Sequence, residues 1–161
     1  MTKVYVDTSV VIATADDQDE FHSESVRFLR HLRNRSIPTA IGPPFFLEAA
    51  KAAEMRGSEA ASRLARTVEE HEIEAVENLD DWLWNLVDQY LSHRILGVGR
   101  FIDLMHYASA TLLRCDCLAS WDRGHFNGKV AMKINKVNSS AGLASLIVWD
   151  PTEVERYLGL G

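Results

Sequence analysis

The chain has 161 residues and a hydrophobic fraction of 47%, which is enough to form the core of one globular domain. Its net charge of −6 argues against a protein that coats nucleic acid through its overall charge, while leaving room for a local basic patch. The first residues lack the apolar run of a signal peptide, and no segment approaches the ~20 apolar residues of a membrane span. The two cysteines, Cys115 and Cys117, have no Cys or His at ligand spacing and are expected to be reduced thiols. We therefore expect one domain that acts in the cytoplasm.

Short apolar runs alternate with longer amphipathic segments along the chain. The predicted elements, in chain order, are a strand at KVYV, a helix from Val10, a helix at FHSESVRFLRHLRNR, a strand at IPTAIG, helices at PPFFLEAAKAAEMRG and at 58–71, a strand at EIEAVE, helices at DDWLWNLVDQYLSHRIL and GRFIDLMHYASATLLRC, a strand at CLASW, a loop at NKVNSSAG, a strand at LASLIVW and a short helix after Pro151. Strands separated by helices of this length are typical of βαβ units. The predicted fold class is therefore α/β with a mostly parallel sheet.

Asp7 follows the first predicted strand directly, and two interpretations of its carboxylate are open. In the first, Asp7, Thr8 or Ser9 caps the helix that begins at Val10, because these residue types satisfy the free N–H groups of a helix start. In the second, Asp7 belongs to a ligand site, because open α/β sheets bind ligands beyond the carboxyl ends of their strands. The second interpretation predicts further carboxylates at the same edge of the sheet.

Three other acidic residues fit that expectation. Glu48 lies on an apolar helix face, where a carboxylate is costly unless a cation or a hydrogen-bond donor meets it. Asp103 opens DLMHYASA, and Asp122 follows CLASW as Asp7 follows VYV. Each has an ordinary alternative: a rim position for Glu48, a first-turn acid for Asp103 and a turn residue for Asp122. Together, the four acids predict a cluster whose repulsion a divalent metal ion neutralises.

In order and spacing, these segments resemble the motifs of PIN-domain ribonucleases. The matching motifs span nearly the whole chain and are VYVDTSVV, FFLEAAKA, DLMHYASA, LASWDRGHF and LIVWDPTEV. The resemblance implies a single PIN-like domain over residues 1–161, with a three-layer α/β/α fold around a central, mostly parallel sheet. It also implies an acidic pocket for Mg²⁺ or Mn²⁺ in which Asp7, Glu48, Asp103 and Asp122 are the first to fourth catalytic acids.

The resemblance extends to function. Many PIN-domain relatives of this length are toxins of two-gene toxin–antitoxin modules, so the implied function is a metal-dependent endoribonuclease with an RNA substrate and an antitoxin partner. Ser120 stands where the family commonly has Thr and retains the hydroxyl, whereas Leu104 follows the third acid where the family usually has a smaller residue.

The chemistry of the acids allows specific roles to be predicted. Asp7 and Asp103 are the first candidates for direct metal ligands, because Mg²⁺ is often held by one or two carboxylates. Asp122 is a candidate for a second ligand or a water-mediated contact, and Glu48 for orienting the attacking water or a second metal. Since water is the nucleophile in such a site, the products are expected to carry a 5′-phosphate and a 3′-hydroxyl.

Substrate contacts require positive charge near these acids. Arg100 and Arg123 are predicted to contact phosphate, because the motifs place them beside Asp103 and Asp122. The segment from Arg123 to Lys136 carries four cations and no acid, which is also compatible with a solvated loop. Structural roles are favoured for His106 and His125. Trp82 and Trp84 lie on opposite sides of one predicted helix, so one of them is available for a homodimer or partner surface.

Two other classes of function remain open from the sequence. One is a catalytically inactive PIN-like module that binds RNA or protein without cutting. The other is phosphoryl transfer with Asp7 as the nucleophile, which is disfavoured because the segment DTS has no second acid two residues after Asp7.

Overall fold

The computed structural model describes residues 1–161 and contains five strands and eight α-helices. The strands are β1 (Val4–Val6), β2 (Thr39–Ile41), β3 (Glu74–Ala75), β4 (Cys117–Ala119) and β5 (Ile147–Trp149). The helices are α1 (Thr8–Ala15), α2 (His22–Asn34), α3 (Pro43–Arg56), α4 (Ser58–Glu70), α5 (Asp80–Ser92), α6 (Phe101–Leu112), α7 (Gly128–Ser140) and α8 (Pro151–Leu158), with a 3₁₀ turn at Val98–Arg100. None of the helices combines the length and the apolar composition that crossing a membrane requires.

All four strand pairings are parallel, and the strand order is β3–β2–β1–β4–β5. Helices cover both faces of this sheet, because the strand side chains alternate between two cores. Tyr5 shares one core with its register partners Ala40 and Leu118 and with helices α5, α6 and α7. Val4 and Val6 point to the opposite core, which α1, α2 and α4 complete. The predicted three-layer α/β/α fold is confirmed, and the sheet is wholly parallel.

The strand order places the candidate acids at a defined crevice. From β1 the chain first builds outward to β2 and β3, and later returns to add β4 on the other side of β1. The carboxyl ends of β1 and β4 therefore lie side by side where the direction of winding reverses, which is the usual ligand position in open parallel sheets. The backbone N–H of Asp7 donates to the carbonyl of Ala119 at 3.0 Å, and this bond holds the two strand ends together.

One predicted element is wrong. The segment NKVNSSAG was expected to be a loop because it is rich in Asn and Ser, but its first six residues form the second half of α7. The apolar residues Val130, Ile134 and Val137 recur at helical spacing on the buried side of α7 and pack into the core. Asn138 is also buried, where its side chain accepts a hydrogen bond from Tyr90 and donates to the Thr111 hydroxyl. Tertiary contacts therefore override the turn-forming tendency of these residues.

Candidate active site

Asp7 is held by side chains from two strand ends. Its carboxylate is buried, and Oδ2 accepts hydrogen bonds from the hydroxyls of Ser9 at 2.8 Å and Ser120 at 2.7 Å. Oδ1 lies 3.2 Å from Nε2 of His106. Asp7 occupies the N-cap position of α1, but its side chain makes no capping hydrogen bond. The capping interpretation therefore does not describe this carboxylate, which faces the crevice instead.

Ser120 joins the first acid to the fourth. Besides donating to Asp7, its hydroxyl accepts a hydrogen bond from the backbone N–H of Asp122 at 3.1 Å. Asp122 Oδ1 in turn accepts hydrogen bonds from the backbone N–H groups of Gly124 at 3.1 Å and His125 at 3.3 Å. The Asp122 side chain therefore stabilises the turn after β4. The hydroxyl that the sequence places two residues before Asp122 thus connects both strand ends.

Glu48 reaches the same crevice from α3. Its Oε1 accepts a hydrogen bond from the Thr8 hydroxyl at 2.8 Å and lies 2.6 Å from Nε2 of His106. Burial opposes ionisation of Glu48, but the hydrogen bond and positive charge of His106, together with Thr8, lower the pKa of its carboxyl overall. Glu48 is therefore held as a carboxylate.

His106 lies in the core below the carboxylates. Burial favours the neutral ring, but the charge of Asp7 and the contact with Glu48 raise the pKa of His106 above its usual value. Its other nitrogen, Nδ1, is 2.8 Å from the Tyr5 hydroxyl, which also accepts a hydrogen bond from the backbone N–H of Gly42 at 3.2 Å. The ring is thus fixed between two carboxylates above and a buried tyrosine below.

Asp103 and Asp122 meet around His125. Nδ1 of His125 lies 2.8 Å from Oδ2 of Asp122 and 3.9 Å from Oδ2 of Asp103. Burial raises the pKa of Asp103, the charge of His125 partly opposes this, and the negative charges of Asp7 and Asp122 raise it further. Because the charges of Asp7 and Asp122 both raise the pKa of Asp103, carboxylates on the two sides of the crevice are close enough to interact electrostatically.

The acids form two adjacent groups whose donor atoms suit a divalent cation. Within each group, one oxygen or nitrogen per residue lies within 4.8 Å of the others; the groups are Asp7, Glu48 and His106, and Asp103, Asp122 and His125. Carboxylate oxygens are the preferred ligands of hard divalent ions, and a cation at this position would relieve the repulsion that, together with burial as the larger cause, raises the pKa of Asp103. The residues present therefore fit a bound Mg²⁺ or Mn²⁺.

A profile of the PIN domain matches residues 4–128. The chain belongs to the PIN-domain family. Among solved structures it is similar to VapC20 of Mycobacterium tuberculosis, described as a sarcin-ricin loop cleaving toxin, with 17% identity, a TM-score of 0.58 and coverage of 88% of this chain and 97% of that one. Comparison with curated protein sequences gives no match. The family that the sequence motifs indicated is confirmed, and the structural likeness supports the same fold.

The PIN-domain site contains two histidines that the sequence analysis did not include among its candidate site residues. Structural roles were favoured for His106 and His125, but both rings contact site carboxylates. A signal was present, since His106 follows Asp103 by one helical turn and His125 follows Asp122 by three residues. The predicted catalytic and metal-binding roles of Asp7, Glu48, Asp103 and Asp122 stay predictions, although all four reach one crevice.

The two arginines predicted to bind substrate lie at different parts of the rim. Arg100 is exposed and lines a pocket of about 470 Å³ together with Glu48, Asp103 and a further cation, Lys51. Arg123 points to the other side, where its Nη2 lies 2.6 Å from Oδ2 of Asp150 at the start of α8. Their contacts with substrate stay predictions, and the pocket favours Arg100 over Arg123 because Glu48 and Asp103 line it.

Gly42, at the end of β2, packs too closely against the supports of the site for any side chain. A Cβ at this position would lie 2.6 Å from the Cβ of Ser109 and 3.3 Å from the Tyr5 hydroxyl. We expect Gly42→Ala to lower the free energy of unfolding by about 1–3 kcal/mol through overpacking, as measured by urea unfolding. Gly128→Ala is the control, because no atom lies within 4 Å of its added Cβ. Equal stability of the two variants would contradict this account.

Proposed function

We propose that this PIN-domain protein is a metal-dependent endoribonuclease and the toxin of a toxin–antitoxin pair. The proposal is carried by the convergence of Asp7, Glu48, Asp103 and Asp122 at the junction of β1 and β4. Four acids at one crevice are costly unless a cation compensates them, and they lie beside the exposed cations Arg100 and Lys51. This combination suits hydrolysis of a phosphodiester better than binding alone.

The side chains have distinct parts in this proposal. Asp7 and Asp103, with Asp122 and Glu48, would hold Mg²⁺ or Mn²⁺. When bound, such an ion lowers the pKa of water and offsets negative charge on the scissile phosphate. Ser9 and Ser120 fix the Asp7 carboxylate, whereas Thr8 and His106 fix Glu48, so that Glu48 can orient the attacking water. Arg100 binds a phosphate of the substrate at the rim.

The proposed reaction is direct hydrolysis. Water attacks the phosphorus, a new P–O bond forms, and the bond from phosphorus to the 3′-oxygen breaks. The attacking water gives up one proton to the solvent and the leaving 3′-oxygen takes one up, so the products carry a 5′-phosphate and a 3′-hydroxyl. No protein side chain becomes covalently attached to the substrate.

The test is cleavage of single-stranded RNA by the purified protein after treatment with a chelator. Activity is expected to be absent until Mg²⁺ or Mn²⁺ is restored, and mapping of the product ends is expected to give 5′-phosphates and 3′-hydroxyls. Because a contaminating ribonuclease that uses the 2′-hydroxyl leaves cyclic phosphates without metal, the end groups identify the source. Absence of metal-dependent cleavage, or metal-dependent cleavage that leaves cyclic ends, would contradict the proposal.

The surface offers a place for the antitoxin partner. An apolar groove between α1, α3 and α4 adjoins Glu48, with a volume of about 290 Å³ and walls that include Ile12, Ala52, Met55 and Leu64. We place the antitoxin there, because a bound chain would cover the exposed Met55 and approach the acids. The proposed place of action is the cytoplasm, where RNA and a newly made antitoxin are both present.

Homodimer formation is proposed separately, at the exposed face of α5. Trp82 and Trp84 are both exposed, at 72% and 50% of their surfaces, and the Trp84 ring stacks on Phe101. The sequence analysis expected one of the two tryptophans to be available for a partner. Two exposed indole rings on one helix favour a contact surface over a solvated face.

A further inference from the structure

The outer face of α7 carries a stripe of lysines. Lys129, Lys133 and Lys136 recur at intervals of four and three residues, which places them on one side of the helix, opposite the buried Val130, Ile134 and Val137. All three lysines are exposed. With a rise of about 1.5 Å per residue, the stripe extends for roughly 10 Å along the helix.

This stripe is not neutralised by the protein. None of its three ammonium groups lies in a salt bridge, whereas five other cations of the chain are paired with carboxylates, namely Lys3, Arg27, Arg33, Arg66 and Arg123. The sequence between Asp122 and Asp150 has no acidic residue at all, in a chain whose net charge is −6. The positive charge is therefore concentrated on α7 and left open to an external anion.

The stripe begins beside the acidic crevice and is rigidly joined to it. Asn127, the residue before α7, caps the helix by accepting a hydrogen bond from the N–H of Val130 at 3.0 Å. Its amide also donates to the carbonyls of Arg123 and Gly124, in the turn that starts at Asp122. The first turn of α7 and the fourth acid of the site are thus parts of one hydrogen-bonded segment.

At the far end, the stripe borders a pocket between α5 and α7. The pocket has a volume of about 320 Å³ and is lined by His93, Ile95, Lys133, Lys136, Val137 and Ser140. Two lysines and a histidine around an apolar floor suit a phosphate with an attached base or sugar. No carboxylate lines this pocket.

We propose that the α7 stripe binds the backbone of the RNA substrate outside the scissile phosphate, so that the strand runs from the acidic crevice along α7 towards this pocket. This inference rests on the proposed nuclease function, and it adds a surface that distinguishes long substrates from short ones. An RNA strand fits because its phosphates repeat regularly, as the lysines do, and because the stripe continues directly from the reacting site. Contacts of this kind are sequence-independent and weaken with salt.

The first experiment measures binding without cleavage. Wild-type protein and the triple variant Lys129→Gln, Lys133→Gln, Lys136→Gln are titrated onto a long fluorescein-labelled single-stranded RNA in a chelator, at several salt concentrations. Because each phosphate contact with a single strand contributes ~0.7 to the slope of log K against log salt, the variant slope is expected to be smaller by about 2. Between about 50 and 200 mM salt, the wild type should then lose roughly 20-fold more affinity than the variant.

The matched control removes the same charge from the opposite layer of the fold. The variant Arg30→Gln, Arg35→Gln, Arg156→Gln changes three exposed cations on or beside α2 and α8, none of them in a salt bridge, and should retain the wild-type slope. Circular dichroism and the thermal midpoint check that both variants are folded. Equal slopes for the wild type and the α7 variant would overturn the inference, as would equal losses in the α7 and control variants. The inference would also be overturned if the α7 variant binds RNA like the wild type but no longer binds phosphatidylserine vesicles that the wild type binds.

The second experiment separates this inference from the proposed nuclease function. With metal present, the α7 variant should show a higher KM for the long RNA and an unchanged kcat, while a short RNA that fills only the crevice should be cut as by the wild type. An unchanged KM for the long RNA would refute RNA binding by the α7 stripe and leave the nuclease assignment intact. Absence of cleavage by the wild type would refute the nuclease, and the binding slopes would still decide whether α7 holds RNA.

Discussion

Replacing Asp7 by Asn is expected to reduce RNA cleavage by about 10³-fold or more, the scale on which a preorganised electrostatic contribution at a reacting centre is lost. The substitution removes the negative charge that the crevice would present to a divalent ion. It retains the size of the side chain, and the amide oxygen can still accept hydrogen bonds from Ser9 and Ser120. The thermal midpoint should stay near that of the wild type, because the relief of repulsion with Asp103 is offset by the lost attraction to the His106 ring.

The control for this substitution is Asp88→Asn, which makes the same chemical change at an exposed position on α5. Turnover of single-stranded RNA, measured under saturating Mg²⁺ or Mn²⁺, should be unaffected by the control. If Asp7→Asn cleaves at the wild-type rate, the proposed site is wrong. If neither Asp7→Asn nor the wild type cleaves while both bind RNA equally, the inactive RNA-binding module becomes the better description.

The four acids could be predicted from the sequence because their positions follow from regular geometry. Asp7 and Asp122 each come directly after a short apolar strand, and the carboxyl ends of adjacent parallel strands meet at one edge of a sheet. Glu48 was found by a second rule, since a carboxylate beside apolar helix positions requires a compensating partner. Asp103 was singled out as an acid near the start of a predicted helix. The α/β class followed in the same way from the alternation of strands and helices.

The supports of the acids could not be predicted in this way, because their contacts join distant parts of the chain. His106 lies in a helix whose buried side is mostly apolar, and only the approach of α3 brings it to Glu48. Tyr5 has the sequence context of an ordinary core residue in β1. Its hydroxyl gains a role only where Gly42 and His106 meet it. Helix α7 was missed for a related reason, since burial of Asn138 between other elements favours a helix that the local composition of its C-terminal half does not.

The second large effect is expected from substitution of Tyr5, whose hydroxyl holds the His106 ring. Tyr5→Phe removes a hydroxyl that contacts His106 Nδ1 at 2.8 Å and accepts from Gly42 N–H at 3.2 Å, and so leaves two buried polar atoms without partners. We expect a loss of about 1–3 kcal/mol in the free energy of unfolding, since an unsatisfied buried group costs this much. We also expect kcat to fall by roughly 10–100-fold, because a group that orients a residue next to the metal ligands typically has an effect of that size.

The stability loss alone would not distinguish a positioning role from a structural one, and Tyr90→Phe provides the comparison. Tyr90 is equally buried, and its hydroxyl donates to Oδ1 of Asn138 at 2.6 Å, in the same core as Tyr5 but between α5 and α7. Both variants should unfold at lower urea concentrations, but only Tyr5→Phe should lower kcat and weaken the stabilisation of the fold by added Mn²⁺. If both variants lose activity equally, Tyr5 acts only through stability. If Tyr5→Phe retains full turnover, His106 does not need its buried partner to hold Glu48 in place.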